Sequence, residues 1–347
     1  MDYVSERNIN NLAKIEALLD ELPSFCAEFF IGIENRTTPL TRLNYAHDLK
    51  IFFGYLCERL PKFAALTPTQ FTLRDLSRVD ASDIERFLSY TNYYVDENGK
   101  NRTNSANGKY RKLSSVRSMF KYFYNKDKLP ENVSTKVSTP KIREKEIIRL
   151  NQPEIHKVLT EAETGNNLAT NRQKSFHDRN KARDFALLTL FLGTGIRISE
   201  CVGLNVEDID FNENSFKVTR KGGNRVILYF SDEVASALEA YIEDRSEVRK
   251  IPDDEHALFV SSQKKRISTR AVENIVKKYA QIAAPLKKIS PHKLRSTYGT
   301  RLYEETGDIY VVAEVLGHKD VNTTKRHYAA TSENIRKKAA EKVKLYD

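Results

Sequence analysis

Two arginines, two histidines and a tyrosine in the second half of this chain form a set suited to chemistry on a phosphodiester. They lie in GTGIRISE (193–200), PHKLR (291–295), VLGHKD (315–320) and the HY pair at 327–328. A guanidinium offers paired N–H donors in a fixed fork that matches two oxygens of one phosphate, so Arg197 and Arg295 are candidate clamps. His292, three residues before Arg295, shares its helical face and can handle a proton or donate a further hydrogen bond. Glu200 stands one helical turn after Arg197, where its carboxylate can reach the guanidinium or the adjacent backbone. Lys221 lies in VTRKGGNR, at a hairpin tip whose glycines let the backbone approach a ligand closely, and can protonate a leaving oxygen. Tyr328 is the candidate nucleophile. A phenol titrates near pH 10, so attack at neutral pH needs a base and a cationic site that stabilises phenolate.

Each residue taken singly also has an ordinary reading. Arg197 and Glu200 can be a surface pair, His292 and Arg295 two solvated residues at a helix N-terminus, and His318 a helix-capping histidine. Lys221 can be a solvated turn lysine. With 17 tyrosines in the chain, any one of them is usually structural. Tyr328 is singled out by its place, ten residues after His318 and just before a final basic segment.

The rest of the composition narrows the field. At 347 residues the chain has room for two domains with separate cores. Lys and Arg number 57 against 47 Asp and Glu, a net +10 that leans toward polyanionic partners. The three cysteines, Cys26, Cys57 and Cys201, are widely spaced with no Cys-x-x-Cys pair, as expected of reduced thiols. The polar N-terminus is no signal peptide, and no run of about 18 apolar residues suggests a membrane span. A cytoplasmic protein with no membrane association is expected. No metal or nucleotide motif is present in the sequence, so no metal and no cofactor are expected.

The elements that must position these residues change character along the chain. Residues 1–130 read as helices: a short amphipathic segment at Asn10–Leu22, then stripes of helical period over Thr41–Leu60, Ser82–Tyr94 and about Ser105–Lys126. Asp80 or Ser82 is the N-cap of the third, and the Asp-Glu-Asn-Gly run at 96–99 a turn. The last helix displays Lys109, Arg111, Lys112, Arg117 and Lys121, which form either a phosphate-tracking face or a solvated one. Residues 131–149 read as a linker. Beyond it come a helix at Glu154–Glu161, a polar basic loop, an apolar helix at Phe185–Gly193, alternating strands over Asp208–Tyr229, and further helices after Asp232.

Arg-x-x-Glu, a hairpin lysine, His-x-x-Arg, Leu-Gly-His and a tyrosine, in that order over about 130 residues, resemble the tyrosine recombinase (phage integrase) family. The family spaces its tyrosine nine residues after the Leu-Gly-His histidine; here that position is His327, and Tyr328 stands one later. The resemblance implies a mainly α, two-domain fold with a small antiparallel β-sheet in the catalytic domain. It would comprise a helical core-binding, DNA-binding domain at 1–130, a linker at 131–149 and a catalytic domain at 150–347. By the same resemblance, Arg197 and Arg295 hold the scissile phosphate and His318 adds a hydrogen bond. Lys221 acts as general acid, His292 assists, Glu200 supports the arginines, and Tyr328 forms a 3′-phosphotyrosine link that proceeds through a Holliday junction.

The implied partners are double-stranded DNA recombination sites, bound by a homotetramer across two sites. The segment SENIRKKAAEKVKL would be a helix exchanged between protomers. Layout and the VTRKGGNR segment resemble the single-recombinase Xer branch, which implies chromosome dimer resolution and a septal DNA translocase as partner. An integrase of a mobile element is the alternative within the family. A type IB topoisomerase, or from another class a non-enzymatic sequence-specific DNA-binding protein, are the rival readings.

Overall fold

The computed structural model describes residues 3–142, 148–168, 170–220, 223–248, 250–252, 255–317 and 321. The chain divides into two compact units, Met1–Glu144 and Lys145–Asp347. It is mainly helical with small antiparallel sheets, as the sequence implied.

The first unit contains α1 (Tyr3–Leu19), α2 (Phe25–Gly32), α3 (Pro39–Arg59), α4 (Leu73–Leu76), α5 (Ala81–Tyr90) and α6 (Ala106–Tyr124). A two-residue hairpin, β1 (Tyr94–Val95) and β2 (Asn101–Arg102), closes over the Asp-Glu-Asn-Gly turn. The helix starts follow from local chemistry. Thr38 caps α3, accepting from the Thr41 N–H at 3.3 Å, with Pro39 in the first turn. Asp80 and Asp83 cap α5 reciprocally, each carboxylate accepting from the other's N–H at 3.0 and 2.9 Å. The helices α1 and α6 both pack on α3 around a core rich in phenylalanine, Phe29, Phe52, Phe53, Phe87 and Phe123 among them. Edge-to-face pairs such as Phe52–Phe87, centroids 5.1 Å apart, lock the ring geometry.

Several expectations change here. The first helix begins and ends earlier than the expected Asn10–Leu22. Helix α2 was not foreseen: FCAEFFIG is apolar nearly all round and buries Cys26, Phe29 and Phe30, so it shows no one-sided stripe. The beginning of the expected linker is structured. Val137 is part of the first unit's core, and Arg117 on α6 donates to the Ser134 and Val137 carbonyls at 3.3 and 2.5 Å.

The second unit is built on α9 (Lys181–Thr194), whose side chains are buried along most of its length. It is reached through α7 (Gln152–Thr164) and α8 (Asn171–Asp178), and continues into α10 (Ile198–Gly203). Helix α8 lies in the stretch read as a polar basic loop. Thr170 and Gln173 cap it, but it is polar on almost every side and again lacks a stripe. A three-stranded antiparallel sheet follows in the order β3 (Ile209–Asp210), β4 (Ser215–Thr219), β5 (Arg225–Tyr229), with Phe216 paired to Leu228 and Thr219 to Arg225. Helices α11 (Asp232–Glu243), α12 (Thr269–Ala283), α13 (Pro291–Thr306) and α14 (Ile309–Leu316) complete the described part. Helices α7, α11 and α13 pack on α9, and α14 packs on α13. Among the described residues, no helix is long and apolar enough to cross a membrane. The segment at 332–345 expected to be an exchanged helix lies outside the described residues.

Candidate active site

Two helices end where the candidate arginines begin. Both α9 and α14 stop on a glycine in the left-handed conformation, Gly195 at φ 62° and Gly317 at φ 60°. A side chain at either place would be strained and would also collide. A β-carbon on Gly195 would meet Tyr298 and Leu316, and one on Gly317 would run into the Arg220 guanidinium. These glycines bring backbone carbonyls to the surface of the site, and the arginines bind there.

Arg197 sits in extended conformation immediately before α10. Glu200, in the first turn of that helix, accepts from the Arg197 N–H at 3.0 Å and from its guanidinium at 2.8 Å. The other arm of the guanidinium donates to the Gly317 carbonyl at 2.9 Å. Glu200 is almost fully buried while the Arg197 side chain keeps about a third of its surface in solvent, 35 %. The carboxylate therefore works as a buried support, and the guanidinium faces outward over it.

Arg295 enters from α13, which starts with Pro291 in its first turn as the sequence suggested. It is buried, donating to the Gly195 carbonyl at 2.5 Å and to that of Leu316. Arg197 and Arg295 thus hold consecutive carbonyls, 317 and 316, at the end of α14. His292 is exposed one turn before Arg295 on the same helix.

A third guanidinium completes the group. Arg220, just past β4, donates to the Val315 carbonyl at 2.8 Å and to that of Glu314 at 3.4 Å. Burial lowers its pKa; the neighbouring Glu200 carboxylate opposes that shift and Arg197 adds to it. Sequence reasoning did not single it out. Its only signal was its place beside Lys221 in VTRKGGNR.

The charge balance decides what this arrangement can do. Three guanidiniums carry three positive charges, against one carboxylate and two helix C-termini worth about half a negative charge each. The cluster keeps about one net positive charge. Carbonyl dipoles orient the guanidiniums without neutralising them as carboxylates would. Such a group can receive an oxyanion through charge-assisted hydrogen bonds.

The structure therefore brings together Arg197, Glu200 and Arg295, with His292 one turn away. Lys221, His318 and Tyr328 lie outside the described residues. Of the basic residues on α6, Lys109, Arg111 and Lys121 reach solvent to different degrees. Lys112 departs from the expected basic face. It is buried, 3.2 Å from the fully buried Asp48, which also takes Arg111 at 2.7 Å and Ser115 at 2.9 Å. Arg117 is engaged with the Ser134–Thr139 segment.

The phage integrase family matches residues 149–334. Over 323 residues the chain is 32 % identical to tyrosine recombinase XerC of Caldanaerobacter subterraneus subsp. tengcongensis, covering 90 % of this chain and 84 % of that protein. It is 29 % identical to tyrosine recombinase XerS of Lactococcus lactis subsp. cremoris, covering 90 % of this chain and 93 % of that one. Among solved structures, the fold is similar to XerH site-specific recombinase bound to a palindromic difH substrate in a post-cleavage complex. The TM-score is 0.65 at 19 % identity, over 88 % of this chain and 80 % of that one.

Proposed function

Because the chain belongs to the phage integrase family, as a site-specific tyrosine recombinase of the Xer branch, we propose that it resolves chromosome dimers through a 3′-phosphotyrosine intermediate. Arg197 and Arg295 hold the non-bridging oxygens of the scissile phosphate, and His318 donates a further hydrogen bond. The Tyr328 oxygen attacks phosphorus while Lys221 protonates the departing 5′-oxygen. His292 takes or returns a proton, and Glu200 keeps Arg197 in place. The freed 5′-hydroxyl of a partner strand then attacks the phosphotyrosine, forming a Holliday junction. Each step exchanges one phosphoester for another, so no ATP is consumed.

The observation that carries this reading is the pair of guanidiniums on consecutive carbonyls, Leu316 and Gly317, directly before His318 in the chain. Fixed donors aimed at developing charge contribute about a hundred- to a thousand-fold each, and general acid–base catalysis about a hundred- to ten-thousand-fold. The role in dimer resolution rests on similarity to Xer recombinases over most of the chain. In that role the protein acts in the cytoplasm as a homotetramer on two DNA sites, with a septal DNA translocase as partner. The basic balance of +10 suits the DNA.

Footprinting on genomic fragments would locate the site, and a nicked suicide duplex of that site would trap the covalent adduct. Tyr328→Phe is expected to abolish the adduct while leaving site binding nearly intact. Wild-type adduct levels in that variant would refute Tyr328 as nucleophile. Supercoil relaxation without pairing of two sites would instead favour a topoisomerase. A footprint at the ends of a mobile element, and none on the chromosome proper, would replace dimer resolution with integration.

A further inference from the structure

We propose that Arg220 is a positioning residue that straps the β4–β5 hairpin to the C-terminus of α14 and so holds the next residue, Lys221, in register with the phosphate-binding arginines. The proposal rests on the reading of Lys221 as the general acid.

Arg220 has two attachments at once. Its backbone closes the base of the hairpin turn: its N–H donates to the Asn224 carbonyl at 2.8 Å, and its own carbonyl accepts from Gly223 at 3.0 Å. Its side chain leaves the hairpin altogether and grips α14, through the Val315 and Glu314 carbonyls. The contact is close: a β-carbon on residue 317, whose φ of 60° already favours glycine, would displace the guanidinium. The Arg220 Nε is buried with no hydrogen-bond partner among the described residues. A side chain serving only its own solubility would not be drawn in at that cost.

Capping of α14 does not explain the contact. Gly317 already closes the helix end, its N–H donating to Ala313 and Glu314. Nor does charge pairing alone: the hydrogen-bond partners are carbonyls, and the attraction of the nearby Glu200 is opposed by Arg197. What the strap does is mechanical. Arg197 and Arg295 hold carbonyls 317 and 316, and Arg220 holds 315 and 314. One helix end therefore fixes the two phosphate clamps and the hairpin stem together. A fork is needed to span neighbouring carbonyls, which lysine at this position would not do.

In the reaction the Tyr328 oxygen forms a bond to phosphorus, the bond to the 5′-oxygen breaks, and a proton moves from Lys221 to that oxygen. Replacing the bridging 5′-oxygen by sulfur lets the leaving group depart as a thiolate, with no proton required. The probes are nicked duplexes of the footprinted site carrying oxygen or sulfur at that position. Arg220→Ala should cleave the oxygen duplex about 100-fold more slowly, the scale of a misplaced catalytic group, and the sulfur duplex at close to the wild-type rate. Lys221→Ala should show the same rescue, and Arg220→Lys an intermediate defect.

Arg220→Ala equally slow on both duplexes, with Lys221→Ala rescued, would overturn the strap alone. So would an undiminished rate on oxygen. Lys221→Ala still slow on sulfur would remove the general-acid reading beneath it. Should Arg220→Ala fail to fold, Arg220→Gln and Arg220→Lys carry the same comparison.

Discussion

The second unit contains two clusters made from nearly the same residue types, and they are built to opposite ends. In one, Arg183, Tyr279 and His177, all buried between α8, α9 and α12, and the part-exposed Lys278 surround Asp184. Arg183 reaches the carboxylate at 2.7 and 3.0 Å, and the Tyr279 hydroxyl donates to it at 2.9 Å. Lys278 donates to the same hydroxyl at 3.0 Å. With the Tyr279 proton committed to Asp184, the His177 Nδ1 at 3.1 Å must be a donor. The neutral tautomer then leaves Nε2 as the buried nitrogen without a partner. In the other cluster, Arg197, Arg220 and Arg295 surround the end of α14, and their partners are chiefly carbonyls.

The difference lies in what balances the charge. Around Asp184 a full negative charge sits at the centre, and burial together with that carboxylate drives the Tyr279 pKa well above that of a free phenol. Tyr279 is thereby disarmed as a nucleophile, although arginine, lysine and histidine stand beside it. At the end of α14 one carboxylate, Glu200, stands against three guanidiniums, so the cluster keeps positive charge that an incoming oxyanion can meet. Arginine, histidine and tyrosine in proximity do not make a site; an unneutralised field does.

Breaking the first cluster should have the largest effect, and on stability alone. Asp184→Ala leaves the buried Arg183 uncompensated and should cost about 3–5 kcal/mol of unfolding free energy, measured by urea denaturation. Cleavage per folded molecule should be unchanged. A variant of normal stability, or one that is fully folded yet slow, would mean the two clusters are not the distinct things described above.

Breaking the second should do the reverse. Arg197→Ala is expected to slow cleavage of a suicide duplex about a hundred- to a thousand-fold, about 2.7–4 kcal/mol of transition-state stabilisation. Its stability loss should be smaller than that of Asp184→Ala, because the side chain is part-exposed and Glu200 keeps the Arg197 N–H. Cleavage within a few-fold of wild type would remove Arg197 from the phosphate site.

This contrast explains what could be read from the sequence and what could not. The grouping of Arg197, Glu200 and Arg295, with His292 a turn away, was legible because the sequence places each of them in or beside the first turns of a helix. The helices α3, α5 and α6 were legible from one-sided stripes. Helix α2, apolar all round, and α8, polar all round, have no stripe to read. Arg220 was missed because its partners are backbone carbonyls 94 and 95 residues away, and a carbonyl leaves no mark in a sequence. Lys112 looked like its neighbours because Asp48, 64 residues earlier, is joined to it only by the fold.

A milder test uses pH. Burial lowers the His177 pKa and the nearby Lys278 pushes the same way, outweighing the Asp184 and Asp178 carboxylates that push it up. As pH falls, the unfolded chain therefore takes up the proton first. Stability from this residue is full above about pH 6.5 and is lost as pH drops through the depressed folded value. Urea midpoints at pH 7.5 and 5.5 should differ more for the wild type than for His177→Gln. Identical pH dependence in the two would show that burial does not hold His177 neutral.

The smallest expected effect carries the same distinction into the first unit, where cations on one helix differ in whether a carboxylate holds them. Lys112 is committed to Asp48 and withdrawn from solvent, whereas Lys121 on the same α6 is exposed. Lys121→Ala should leave stability nearly unchanged but reduce the dependence of log affinity on log salt by about one, because one phosphate contact and its released counterion are lost. Lys112→Ala should leave that slope alone and lower stability, since it removes one of two cations from a buried carboxylate. The two variants separate in opposite directions on two axes, salt titration of duplex binding and denaturant midpoint. An unchanged salt slope for Lys121→Ala together with a reduced slope for Lys112→Ala would mean that DNA reaches the buried cation and not the exposed one, and the link between charge balance and availability would fail in this unit.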